Sequence, residues 1–140
     1  RKQSRLTHND EQGITKTVLD NSSKVGAFES LSYSQPGVRT QELSKLKKGN
    51  FKIEAVLDLH GFILSDAEQE IDDFIALCFA KQQRHIRIIH GKGYNSNEQY
   101  PILKNLVNQT LRQLDEVIAF SSTPEKDGGV GAVNILLKAQ

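Results

Sequence analysis

Two short apolar runs, "AVLDLHG" at 55–61 and "HIRIIHGKG" at 85–93, each close on a histidine and a glycine, and a single amphipathic stretch separates them. A strand, one helix and a second strand joined by short links pack in one hand, as a right-handed parallel unit whose helix covers a face of the sheet. The rest of the chain has to build around that unit. Its helix is predicted from Ala67, Ile71, Phe74, Ile75 and Cys78, which share a face, with Ser65 and Glu68 spaced as a capping box at its start. Cys78 on that stripe is read as core. A second helix is expected from Pro101, with Ile102, Leu103, Leu106, Val107, Thr110, Leu111 and Leu114 as its apolar stripe. Two final strands, "VIAFSS" and "AVNILLK", flank the loop "TPEKDGGVG". The order is β-α-β-α-β-β, which predicts an α/β fold: a compact two-layer sandwich with a small mixed sheet.

That pattern occupies residues 51–140, the expected domain. Residues 1–32 are rich in Ser, Thr, Asn, Lys and Gln without helical or strand period, and are expected to be disordered. Residues 33–50 form a lead-in that docks on the domain, with a Pro-Gly turn and a short helix over Gln41 to Lys48 stopped by Gly49-Asn50. Charge divides the same way: residues 1–50 hold 9 Lys/Arg against 5 Asp/Glu, and residues 51–140 hold 9 against 12. A strong non-specific nucleic-acid binder is thereby disfavoured, and phosphate attraction has to come from a local patch or from the basic N-terminal segment; the cluster Arg39, Lys45, Lys47 and Lys48 is read first as a solvated face, with phosphate contact the alternative. One cysteine excludes an internal disulfide and fits a reducing, cytoplasmic setting. The apolar runs are too short to cross a bilayer, so no membrane partner is expected.

Side chains two apart on a strand share a face, so Asp58 and His60 sit side by side while Leu57 and Leu59 turn the other way. Gly61 allows close backbone approach there. The second run ends on His90, Gly91, Lys92 and Gly93, and parallel strands bring both motifs to one sheet edge, where ligands of open α/β sheets gather. The pair Gly128 and Gly129 is expected to form another wall. Two imidazoles, a carboxylate, an ammonium and exposed amides suit phosphodiester chemistry. In that reading Asp58, His60 and His90 are the catalytic groups, and Gly61, Gly91, Lys92, Gly93, Gly128 and Gly129 hold nucleic acid or phosphate. No cofactor is required; Mg or Mn is optional, with Asp58 the carboxylate that would receive it.

"LDLHG" at 57–61, "IIHGKG" at 88–93 and "GGVGAVNILL" at 128–137, in this order, resemble the Smr (small MutS-related) domain, and "PGVRTQELSKLKKGNFKIEAVLDLHG" resembles the lead-in of stand-alone bacterial Smr proteins. The resemblance covers roughly residues 36–138. It implies an endonuclease fold similar to the C-terminal domain of a translation initiation factor. The implied activity is cleavage of RNA, with mRNA at stalled or collided ribosomes as substrate; the first 32 residues add nothing to the resemblance, and are expected to be either a ribosome-binding arm or a spacer without contacts. The alternatives are a DNA-nicking enzyme of repair or recombination and a non-catalytic nucleic-acid or ribosome-binding module. Asn134 stands where many members carry a small or aromatic residue, and the loop after Gly93, "YNSNEQYP", is comparatively long.

Overall fold

The computed structural model describes residues 24–92 and 101–140. Five strands form one mixed sheet: β1 (Ser32–Ser34), β2 (Ala55–Asp58), β3 (His85–Ile89), β4 (Val117–Ser122) and β5 (Ala132–Leu137), in the order β1-β4-β5-β3-β2. β2 and β3 are parallel, as the strand–helix–strand pattern requires, and every other pairing is antiparallel. The helices are α1 (Thr40–Lys48), α2 (Leu64–Ala80) and α3 (Ile102–Arg112).

The main core lies between the sheet and the pair α2 and α3. Ile86 and Ile88 of β3 and Val133, Ile135 and Leu137 of β5 meet Ile71, Ile75, Leu106 and Leu111, all buried. Alternation along the strands sends their other residues to the opposite face. There α1 covers part of the sheet, with Leu46 packed against Ala119 and Leu136 and with Leu43 and Phe51 around them. A register shift between Val117 and Ala119 lets β4 serve both layers, since Val117 and Phe120 join the main core while Ala119 faces α1. α1 ends as expected at Gly49 (φ 74°), whose N–H donates to the Leu46 carbonyl while the Asn50 N–H donates to that of Lys45.

The start of α2 differs from the expected capping box. Its N-cap is Ile63, so Ser65 falls inside the first turn, where its hydroxyl makes no cap bond. Cys78 is core, as read, and burial pushes its thiol up to about 11.

Residues 24–31 correct the expectation of disorder up to residue 32, and residues 1–23 lie outside the described residues. The side chain of Asn105 pairs with the Val25 backbone on both sides, accepting its N–H at 2.8 Å and donating to its carbonyl at 2.9 Å. Lys104, with no exposed surface, donates its ammonium to the carbonyls of Gly26 (2.9 Å), Ala27 (3.2 Å) and Glu29. Leu31 then enters the core and exchanges bonds with Ser122, which starts β1 along β4. A polar segment is thus ordered by polar partners instead of an apolar stripe.

Removing Lys104 leaves three backbone acceptors without their charged donor. Lys104→Met is expected to lower the unfolding free energy by about 3 kcal/mol, read by urea denaturation, with faster amide exchange over residues 25–31. A loss below about 1 kcal/mol would refute the lock.

Candidate active site

Asp58 is the last residue of β2, paired with Ile89 of β3, and the Leu59 N–H still donates to the Ile89 carbonyl. Leu59 is fully buried in the main core, so Asp58 and His60 stand on the opposite face. Their contact is direct, with Asp58 Oδ1 2.9 Å from His60 Nδ1. The same oxygen accepts the His60 backbone N–H at 3.0 Å. The backbone bond and then the ring bond hold the Asp58 carboxyl below the usual aspartate range, so it is ionised at neutral pH. A carboxylate only accepts, which assigns the proton of the neutral imidazole to Nδ1 and leaves Nε2 with its lone pair. The His60 side chain is 81% exposed, so that lone pair is open to an incoming group. Gly61 follows at φ 85°, a left-handed conformation that lets the chain leave the strand directly after the pair.

His90 is at the equivalent end of β3 but in a different setting. Alternation turns it with Ile86 and Ile88 toward the helix layer, and it is 4% exposed. Its Nδ1–H donates to the Gly91 carbonyl at 2.8 Å, and its buried Nε2 has no hydrogen-bond partner among the described residues. Burial, with a further contribution from the Lys104 charge, lowers its pKa to about 4. The structure therefore separates the two imidazoles expected to share one cleft: His60 is on the open face and His90 is beneath the sheet.

The two glycine loops do meet. The N–H groups of His90 and Gly91 both donate to the Gly131 carbonyl at 3.0 Å. A Cβ on Gly131 would fall 2.8 Å from Lys92 Cγ and 3.2 Å from the Lys92 nitrogen, so only glycine admits this approach. Lys92 is seated by that contact. Three of the glycines expected to face phosphate use their amides within the protein: Gly91 donates to Gly131, Gly128 to Glu125 and Gly129 to Pro124. Gly93 lies outside the described residues.

One group not foreseen is Arg87, on the same face as Asp58. Its Nε donates to Asn134 Oδ1 at 2.9 Å, and its Nη2 lies 3.7 Å from Asp127 Oδ2. Asn134 in turn donates to the Leu46 carbonyl of α1 at 3.3 Å. Lone polar residues in apolar strands were the available signal, but strand pattern alone does not say which of them pair. Among the described residues no three His, Cys, Asp or Glu side chains gather as a metal-ligand set, and the Asp58 oxygen that would lead one is turned to His60. None of the described helices is long and apolar enough to cross a membrane.

With this geometry in view, the comparisons are informative. The family model for the Smr domain matches residues 57–138. The chain is 32% identical over 108 residues to the ribosome rescue factor SmrB of Yersinia pseudotuberculosis, covering 77% of this chain and 58% of that protein. It is 33% identical over 106 residues to SmrB of Serratia proteamaculans, covering 76% and 57%. The chain thus spans somewhat over half the length of these relatives. Among solved structures, YdaL, a stand-alone small MutS-related protein from Escherichia coli, superposes with a TM-score of 0.74 at 25% identity, covering 83% of this chain and 88% of that one. The Smr domain of Thermus thermophilus MutS2 superposes at 0.53 with 26% identity, covering 60% and 98%.

The buried, neutral His90 sets an acid limit on stability. Its folded pKa of about 4 lies below the ordinary 6.5, so the unfolded chain takes up the proton first as pH falls and stability drops through that window. Between pH 7 and pH 5 this group is expected to withdraw about 2 kcal/mol, a loss that His90→Asn should largely abolish. Urea unfolding of both proteins at the two pH values checks it; equal losses would refute it.

Proposed function

Because the chain belongs to the Smr domain family, we propose that it is an endonuclease of RNA phosphodiester bonds, acting through the Asp58–His60 pair on mRNA at stalled or collided ribosomes. The observation that carries this reading is the exposed imidazole held in one tautomer by an ionised carboxylate, at the end of a strand paired with the one that leads into Lys92. The names of the SmrB relatives support the ribosomal setting, and a ribosome is met in the cytoplasm.

In the proposed reaction His60 Nε2 takes the proton from the ribose 2′-OH, whose oxygen attacks the adjacent phosphorus. The bond from phosphorus to the 5′-oxygen breaks, leaving a 2′,3′-cyclic phosphate and a 5′-hydroxyl. Asp58 keeps the imidazole oriented and stabilises it once protonated, as the carboxylate does in other carboxylate–histidine pairs. Lys92 offsets charge on the phosphorane-like transition state. With Nε2 at the surface, the same imidazole returns its proton to the leaving oxygen or hands it to water. His90 takes no part in proton transfer; it remains neutral and supports the loop that carries Lys92.

The test is cleavage of end-labelled RNA by wild type, His60→Ala and Asp58→Asn, each with and without excess chelator and with and without ribosomes. His60→Ala is expected to lower the rate by about 10²- to 10⁴-fold, with Asp58→Asn also slowed, and wild type should leave cyclic phosphates in chelator. Undiminished cleavage by His60→Ala would remove that residue from the mechanism. Binding without cleavage by any of the three, ribosomes included, would favour the binding module, and nicking of supercoiled plasmid in preference to RNA would favour the DNA enzyme.

A further inference from the structure

On the sheet face that carries Asp58, a cleft of about 330 Å3 opens between the edge strand β1 and α1. Its polar lining comes from Ser32, Ser34, Thr40, Ser44 and Ser121, with the Lys47 side chain at its rim. The buried Leu46 and the partly buried Leu43 of α1 form its apolar side. Register fixes its place relative to the Asp58–His60 pair. Ser32 pairs with Ser121, Ser121 with Asn134, Asn134 with Arg87, and Arg87 with Val56, so one straight row crosses all five strands. Asp58 is two residues further along β2. Four strand spacings of about 4.8 Å put the far end of the row about 19 Å from Ser32. That distance corresponds to about six stacked nucleotides at roughly 3.4 Å each.

Between the two ends, the surface carries cations. Lys47 and Lys48 are exposed on the last turn of α1, whose Leu46 carbonyl accepts from Asn134 of that row. The carboxylate nearest that turn, Asp127, is turned toward Arg87 at 3.7 Å. Ser34 and Ser121 donate to the carbonyls of Gln35 and Ser122 and keep their oxygens as acceptors; with the hydroxyls of Ser32, Thr40 and Ser44 and one ammonium, this polar lining suits a phosphate and its ribose better than an apolar peptide. We propose that this cleft is a remote phosphate-and-ribose subsite for the RNA strand, with Lys47 as its charged contact, and that Lys48 leads the strand toward Asp58 and His60. The proposal rests on the nuclease reading above and adds the path by which the substrate lies on the protein.

The test is binding of a fluorescent unstructured RNA of about 14 nucleotides to the full chain carrying His60→Ala, which allows binding to be read without cleavage. Lys47→Glu, and Ser44→Phe to fill the cleft, are expected to weaken binding about tenfold, and Lys47→Glu to lower the salt slope by about 0.7. Lys81→Glu, an equal charge change at the far end of α2, should have little effect. Equal losses from Lys47→Glu and Lys81→Glu would mean diffuse attraction and overturn the subsite. Wild-type affinity in Lys47→Glu would do the same, whatever Ser44→Phe does to α1. Lys92→Ala separates the two failures: weaker binding there with intact cleft variants removes the subsite alone, whereas unchanged binding in all of them removes this face as the RNA surface.

Discussion

The carbonyl of Gly131 accepts the N–H groups of both His90 and Gly91, and the geometry of the candidate site follows from that single acceptor. It ties the end of β3 to the start of β5 just beyond their last ladder pair, Ile89 with Ala132. Because Asp58 is paired with Ile89 on the other side of β3, the same fastening fixes the level at which the Asp58–His60 pair emerges. Lys92 is pressed onto Gly131 so closely that any side chain there would displace it. The family's three sequence motifs are thereby neighbours in space: Asp58 and His60 end one strand, Lys92 follows the next, and the Gly131 carbonyl fastens the second motif to the third.

The two histidines show how far position in a strand outweighs residue type. His60 and His90 each follow a parallel strand and each precede a glycine, yet one is solvated and carboxylate-bound while the other is nearly sealed and neutral. The period of two decides this. His90 continues the face of Ile86 and Ile88, and His60 continues that of Asp58. Desolvation penalises the imidazolium at His90, with only a backbone carbonyl opposing it, whereas the His60 ring meets solvent and a carboxylate.

Much of this was legible before any coordinates. Periodicity gave α2 and α3, the short links between "AVLDLHG" and "HIRIIHGKG" gave the parallel pair, and Gly49 gave the end of α1. What escaped was set by contacts distant in sequence. Three residues, Ser32–Ser34, are too few to show alternation, and they form a strand because Ser122 and Leu31 bond each other across 91 positions. Lys104 and Asn105 are outside the apolar stripe of α3, and no local pattern marks a lysine that will meet three carbonyls from residues 26–29. The facing of His90 was in principle readable from alternation. Position along the strand is the same for both histidines; the face is what differs.

The buried lysine also explains how a largely polar lead-in can be part of a rigid unit. An ammonium with no exposed surface is costly unless its protons are satisfied, and burial accordingly lowers the Lys104 pKa. Carbonyls gathered by a turn at 26–29 satisfy those protons, and Asn105 pairs with Val25 as a neighbouring strand would. That arrangement sets where Leu31 enters the core, hence where β1 lies, and β1 is one wall of the cleft beside α1. The open face of the sheet therefore owes its shape at one end to the Gly131 carbonyl and at the other to a lysine on the opposite side of the molecule. A change at Lys104 reaches the cleft through the backbone of β1, with no contact between the two.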